Sequence, residues 1–429
     1  MHRSDAGVSL TVVASAPMAI AELLAGLLGD DIPVEVGAYD GSRAGPRDAR
    51  AAIVLHSPDA LSRLVTAPGE LGLGRAYVAG DLELEGDIFA VLSLHERFDG
   101  LRLTPAQWLS LVRLLGSTSL RRIPPPPEEA RMHGRRHSRE RDAAAIAYHY
   151  DLSNDFYRIL LGPTLTYSCA VWSSPEAGLD AAQEAKHELV CRKLALEPGM
   201  RLLDVGCGWG SLVMHAARRH GVRAVGVTLS QEQAELASKR VSESGLSDMV
   251  EIRMQDYRDV RDGPYDAISS IGMFEHVGLS KLATYFDRLF ALLRPEGRLL
   301  NHGISRSPGQ RRRAQLWSRS FIDSYVFPDG ELHEIGTVVS TIQQRGFEAR
   351  HVESLREHYA LTLRSWLANL EAQWDEVVAL VGVARARVWR LYIAVASQRF
   401  TDGAVQVHQV LAVKPDRGAS GMPLRPSFT

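Results

Sequence analysis

Cysteine is scarce: Cys169, Cys191 and Cys207 are the only three in 429 residues, and their spacing makes neither a disulfide framework nor a zinc motif. A reduced, cytoplasmic setting is therefore expected. Long apolar runs are missing as well, since no uninterrupted stretch reaches the roughly 18 residues a membrane-spanning helix needs. Residues 8–28 come nearest, but Pro17 and Glu22 interrupt them. That segment reads as an amphipathic helix over 19–28, and neither a signal peptide nor a span is expected. Net charge is also nearly absent, with 49 Lys and Arg against 51 Asp and Glu leaving −2. A nucleic-acid partner is not expected, and any attraction to anions must be local. Two basic clusters are present, residues 131–141 (R-M-H-G-R-R-H-S-R-E-R) and 311–313. H-E-x-x-H is absent too, so no metal is expected.

What is present describes a globular protein, 45% hydrophobic and 23% charged, long enough for two domains. Residues 1 to about 100 mix short β-like runs (34–39, 51–56, 82–85) with helical stretches, and helical periodicity returns over 105–115. Pro124, Pro125, Pro126 and Pro127 then make a stiff extended segment. We expect a smaller N-terminal α+β domain over 1–120, a Pro-rich and basic linker over 121–142, and a catalytic domain over 143–429. In the last, strands 201–205, 223–227, 250–254, 267–271 and 298–304 alternate with helices 212–220, 231–242 and 279–293. That rhythm predicts an α/β fold with a parallel sheet wound on both faces. Ligands in such sheets sit outside the carboxyl ends of the strands.

The first of those ends reads D-V-G-C-G-W-G, Asp204 to Gly210. Gly206, Gly208 and Gly210 let a strand-to-helix turn approach a ligand closely, because glycine is free to adopt positive φ and has no side chain in the way. A dinucleotide fingerprint would need G-x-G-x-x-G and an acid about 20 residues on. Here the spacing is G-x-G-x-G, and the next strand ends in Thr228, Leu229 and Ser230. The turn fits the floor of an S-adenosylmethionine pocket. At the third strand end, Asp256 is placed to accept from an adenine amino group and Tyr257 to pack on the ring. Glu275 and His276 follow the fourth strand. His302 lies inside the fifth apolar run, where a titrating group costs several kcal/mol unless partnered.

These residues carry a family likeness. The chain resembles the cyclopropane fatty acyl phospholipid synthases and the mycolic acid cyclopropane synthases. The motifs are A-Y-H-Y-D-L-S-N-D-F-Y (147–157), L-T-Y-S-C-A (165–170), L-L-D-V-G-C-G-W-G (202–210), V-T-L-S-Q-E-Q (227–233), S-I-G-M-F-E-H-V-G (270–278) and E-H-Y-A-L-T-L-R-S-W (357–366). L-G-L-G-R-A-Y-V-A-G-D-L-E (71–83) extends it to the phospholipid-acting members, which carry an extra lipid-associated domain. The resemblance implies a Rossmann-like class I S-adenosylmethionine-dependent methyltransferase domain. It implies a donor site of Tyr167, Ser168, Gly206, Thr228, Leu229, Gln233, Asp256, Tyr257 and Ile271, joined by Asp204, Gly208, Gly210 and Ser230 from the same motifs. It further implies a bicarbonate ion held by Cys169, Glu275, His302, Ile304 and Tyr359, with Glu353 as a supporting carboxylate. Where some members have a cysteine near the C-terminus this chain has Ala396, so a thiol there is not the nucleophile.

The chemistry so implied methylates a cis alkene of an unsaturated phospholipid acyl chain, and an anion such as bicarbonate then deprotonates the resulting cation, with Glu275 expected to orient His302. Cys169 is either a small buried hydrophobe or a hydrogen-bonding group at that ion. Trp317, Phe321, Tyr325 and Phe327 either line an acyl channel or lid, or belong to ordinary core. The substrate lies in a bilayer, so transient peripheral contact at the inner face of the membrane is expected, with a homodimer as a candidate assembly. Residues 131–141 would add up to about 1 kcal/mol per cation near an anionic surface. Binding to anionic vesicles should then weaken as salt rises and when those arginines are removed. Binding indifferent to both would exclude the electrostatic contribution.

Overall fold

The computed structural model describes residues 19–29, 31–67, 69–94, 123–130, 132, 134, 138, 141, 152–308, 320–328 and 330–428. The expected helix over 105–115, most of the basic stretch 131–141, residues 311–313 and Trp317 lie outside them. The chain forms two compact units, Met1–Pro125 and Pro126–Thr429.

In the first unit β1 (Glu35–Gly37), β2 (Arg43–Ala44), β3 (Ala51–Leu55) and β4 (Leu82–Gly86) make a sheet of order β2-β1-β3-β4. Only the β1–β3 pair is parallel. Ala51, Ile53 and Leu55 alternate into the core, as period-2 patterning requires. Helices Pro58–Thr66 and Glu70–Ala79 approach closely because residue 72 is glycine: a Cβ there would stand 2.0 Å from the Ala67 carbonyl oxygen. Arg63 ties the unit together, its Nε donating to Asp81 at 2.8 Å and its Nη1 to the Pro124 carbonyl at 2.9 Å.

The second unit holds β5 (Arg201–Val205), β6 (Arg223–Thr228), β7 (Val250–Met254), β8 (Tyr265–Ile271), β9 (Leu293–Arg306), β10 (Glu348–Ser354) and β11 (Val405–Val413). They form one sheet of order β10-β11-β9-β8-β5-β6-β7. β5 to β9 pair in parallel, as the sequence rhythm predicts. β11 corrects that expectation, because it runs antiparallel between β9 and β10. Neither β10 nor β11 is foreseen: 348–354 has no apolar alternation, and His408 and Gln409 interrupt the apolar run of 405–413.

Both faces of the sheet are covered, so neighbouring apolar residues on a strand serve opposite cores. Leu203, Leu299 and Val410 pack with Leu282, Phe286 and Leu289 of helix Leu279–Leu292. Leu202, Leu300 and Leu411 pack with Val190 and Leu194 of helix Leu179–Leu194 and with Val213 of helix Ser211–His220. Helices Asn154–Leu161, Arg356–Ala372 and Val383–Thr401 build an aromatic cluster around Phe156, Trp366 and Trp389. Among the described residues no helix is long and apolar enough to cross a membrane.

Gly303 tests how tightly β9 is packed, since an added Cβ would lie 2.1 Å from the ring of the buried Phe274. Gly303→Ala should cost about 1–3 kcal/mol, seen as a lower denaturation midpoint at unchanged slope. A midpoint equal to that of the parent would mean that the Phe274 ring moves aside freely.

Candidate active site

β5 lies where the strand order reverses, with β6 on one side and β8 on the other, and the glycine turn leaves its carboxyl end. Gly206, Gly208 and Gly210 have φ of 81°, 54° and 78°, all in the region that disfavours a side chain. The amides of Gly206 and Cys207 donate to the Val227 carbonyl at 2.9 and 3.0 Å, which holds the turn over β6. A Cβ on Gly206 would meet Met273 Sδ at 2.4 Å, whereas one on Gly208 would meet nothing within 4 Å. The turn therefore opens onto free space at Gly208. Trp209 anchors it from behind, donating from Nε1 to Asn154 Oδ1 at 2.8 Å and packing on Tyr157 at 4.7 Å. Asp204 sits below, fully enclosed, accepting from Ser269 Oγ at 2.6 Å. Burial pushes its carboxyl up to about 6 against that bond and the nearby Lys186 ammonium.

The other expected donor-site residues follow at adjoining strand ends. Thr228 Oγ1 donates to Gln233 Oε1 at 2.8 Å, and Ser230 caps helix Gln231–Glu243 by accepting from the Gln233 amide at 3.3 Å. Leu229 is half-buried between them. Asp256 caps the short turn Tyr257–Asp259 and holds Arg258, with Nη2 at 2.6 Å, so its carboxylate is already committed to a guanidinium. Tyr257 packs edge-on against Tyr285 at 5.2 Å. Ile271 is the register partner of His302, whose carbonyl accepts from the Gly272 amide at 2.8 Å. Tyr167 shares a hydrogen bond with Tyr392 at 3.1 Å and packs on Trp366 at 5.1 Å, while Ser168 Oγ accepts from Lys186 Nζ at 3.1 Å. Burial draws the Lys186 ammonium down to about 8, although Asp204 opposes this.

Two of the expected anion-holding groups stand out by what they leave unmade. Glu275 is buried, its Oε1 accepts from the Ile304 amide at 2.6 Å, and its Oε2 has no partner among the described residues. Burial pushes this carboxyl up to about 7 despite that amide. His302 is 2% exposed, its Nδ1 meets Gln409 Nε2 at 3.2 Å, and its Nε2 has no partner among the described residues. Burial, with Lys186, Lys193 and His408 nearby, lowers it to about 3, so the ring is neutral. The expectation that Glu275 orients His302 is therefore corrected: the orienting neighbour is Gln409, and Glu275 is held by β9 backbone. Cys169 and the Tyr359 amide reach the same carbonyl, that of Leu355, at 3.6 and 3.1 Å. Burial raises the Cys169 thiol well above its ordinary range, which keeps it protonated. Tyr359 packs on Phe400 at 4.6 Å. Glu353 bonds not to the pocket but to Lys193 Nζ.

Sequence reasoning missed Lys186, Lys193 and Gln409. The signal was available, because Lys186 and Lys193 are seven apart on the apolar stripe of one helix, alongside Val190 and Leu194. Of the aromatic residues expected at a channel or in core, Phe321 and Tyr325 are fully enclosed and stacked at 4.8 Å. Phe327 packs on Tyr392 and His276. The described residues bring Cys191, His215 and His220 together with ligand atoms within 4.8 Å. Glu188 already bonds both imidazoles at 3.1 Å, so a hydrogen-bonded cluster accounts for them.

A mostly parallel sheet wound on both faces, with an open glycine turn at the reversal of strand order, defines a Rossmann-like S-adenosylmethionine-dependent methyltransferase. More closely, the chain belongs to the mycolic acid cyclopropane synthetase family, whose profile matches residues 137–410. It is 48% identical over 406 residues to a Mycobacterium tuberculosis protein named "probable fatty acid methyltransferase", spanning 92% of this chain and 94% of that protein. With the cyclopropane-fatty-acyl-phospholipid synthase of Escherichia coli K12 it shares 33% over 374 residues, 86% and 90% of the two chains. A crystal structure of a mycolic acid cyclopropane synthase complexed with SAH and CTAB superposes with TM-score 0.60 at 35% identity, covering 63% of this chain and 98% of that one.

Glu275 gives a prediction with a definite sign. Its folded carboxyl sits near 7, above an ordinary value of 4.5, so it contributes stability that is complete below about pH 4.5 and lost as pH rises through 7. Glu275→Gln keeps an acceptor for the Ile304 amide and removes the buried charge. At pH 8 it should be more stable than the parent by up to about 3 kcal/mol, and the gain should vanish toward pH 5. Equal stability at pH 8 by denaturant titration would refute the assignment.

Proposed function

We propose that the protein transfers a methylene group from S-adenosylmethionine to the cis double bond of unsaturated acyl chains in membrane phospholipids. The product is a cyclopropane ring, formed through a carbocation, and a bicarbonate ion held by Cys169, Glu275, His302, Ile304 and Tyr359 would supply the base for its proton. The observation that carries this reading is the pair of buried, unpartnered polar atoms, His302 Nε2 and Glu275 Oε2, on the sheet edge that also holds the Gly206 turn. Buried polar atoms of native proteins almost always have partners, so two orphans on one rim call for a small polar guest. The names of the relatives support the lipid substrate, and the two-unit division supports a separate N-terminal lipid-associated domain.

S-adenosylmethionine supplies an electrophilic methyl group, and bicarbonate supplies a small base that an apolar pocket tolerates. This chain's own residues do the rest. Gly206, Gly208 and Gly210 shape the floor for the donor, with Thr228, Gln233, Asp256 and Tyr257 at its rim. Glu275, near 7, is neutral in a substantial fraction at neutral pH and can then donate from Oε2 while Oε1 accepts from Ile304. The aromatic faces of Tyr167, Trp366, Tyr359 and Phe400 exclude water and offer negative potential to a cation. Cys169, kept as a thiol, takes part by shape and weak hydrogen bonding. The basic residues of 131–141 hold the enzyme at the inner face of the membrane from the cytoplasm.

A second outcome of the same chemistry is a methylene or methyl branch, in which the cation rearranges before losing its proton. The 48% identical relative, named a fatty acid methyltransferase, favours keeping it in view. Purified protein, S-adenosylmethionine and vesicles of cis-unsaturated phospholipid should give a product whose NMR spectrum carries cyclopropane protons, an exocyclic methylene being the signature of the second outcome. Glu275→Gln and His302→Ala should each lower turnover by about a hundredfold or more while donor binding persists by calorimetry. Undiminished turnover in both variants would overturn the proposal.

A further inference from the structure

We propose that Lys193 and Gln409 form a relay that fixes the tautomer of His302, so that the ring turns Nε2–H rather than a lone pair toward the anion in the site. This rests on the bicarbonate reading above for the identity of the anion, but the tautomer follows from this chain alone.

An ammonium and an amide NH2 can only donate, and these two groups fix the direction of every bond in the row. Lys193 carries an ammonium, which donates and never accepts, and its Nζ lies 2.7 Å from Gln409 Oε1. A reversed amide would set NH2 against NH3+, so the Gln409 oxygen must face the lysine. The Gln409 nitrogen therefore faces His302 Nδ1, at 3.2 Å. An amide NH2 also only donates, so Nδ1 must offer its lone pair. The ring is neutral, which leaves its single proton on Nε2. That Nε2 is buried and has no partner among the described residues.

The fold explains why these groups meet. Glu353 pairs with Gln409 and Gln409 with His302, so three side chains lie level on adjacent strands β10, β11 and β9. Lys193 enters from the last turn of helix Leu179–Leu194 and is 0% exposed. Among the described residues its carboxylate partner is Glu353, 36% exposed at the sheet edge. Burial favours the uncharged amine, and the Glu353 hydrogen bond holds the proton on it. Glu353 is thus a positioning residue acting through Lys193, and it does not touch the anion.

Nitrogen-15 spectra of histidine-labelled protein at pH 8, with His302 assigned by comparison with His302→Ala, test the relay directly. The wild-type ring should show a protonated Nε2 and a bare Nδ1. In Gln409→Glu the new carboxylate accepts from the ring, and the proton should move to Nδ1. The bicarbonate concentration giving half-maximal turnover should then rise by about tenfold or more, while the S-adenosylmethionine affinity stays within about twofold. A wild-type ring protonated on Nδ1 overturns the relay, whether or not Gln409→Glu folds. A proton that moves as stated, with bicarbonate dependence untouched, upholds the relay and overturns the bicarbonate reading instead.

Discussion

Hydrogen-bond register across the seven-stranded sheet is the constraint on which the site depends. Val205 pairs with Ser270, so Gly206 comes level with Ile271, and Ile271 pairs with His302, His302 with Gln409, and Gln409 with Glu353. Donor turn, imidazole, amide and edge carboxylate therefore stand in one row. A slip of one residue would turn His302 to the opposite face, among Phe274 and Leu299. Packing guards against that slip, because Leu299 and Leu300 are both fully buried in different cores and neither could trade places.

The same burial that fixes register sets the electrostatics. Asp204, Lys186, Glu275 and His302 are all taken out of water, and each shifts toward its neutral form. Their neighbours decide how far. Asp204 and Lys186 offset one another, while Glu275 has only backbone amides to hold its charge. The outcome at neutral pH is an Asp204 and a Lys186 that keep most of their opposite charges, a Glu275 divided between its two forms and a neutral His302.

Much of this was legible in the chain. The five parallel strands fall within a few residues of where apolar runs place them, because β5, β6, β8 and β9 are largely buried and the turns carry glycine or proline. The glycine triplet announced an open strand-to-helix turn for a steric reason that needs no tertiary knowledge. The antiparallel insertion of β11 was not legible, since it follows a helical region and breaks its apolar run with His408 and Gln409. The relay was hidden for a related reason: Gln409 is 107 residues from His302 and 216 from Lys193, and only the sheet order brings them together. Glu353 was expected as a supporting carboxylate, but its bond to Lys193, 160 residues away in the chain, was not legible.

The place of β11 in the sheet also bears on how the enzyme comes into being. On the ribosome the glycine turn, β6, β8 and β9 emerge first, and β10 has no strand of β9 to join until Val405–Val413 slides between them. Until that insertion the Nδ1 of His302 lacks the Gln409 amide that meets it in the complete sheet.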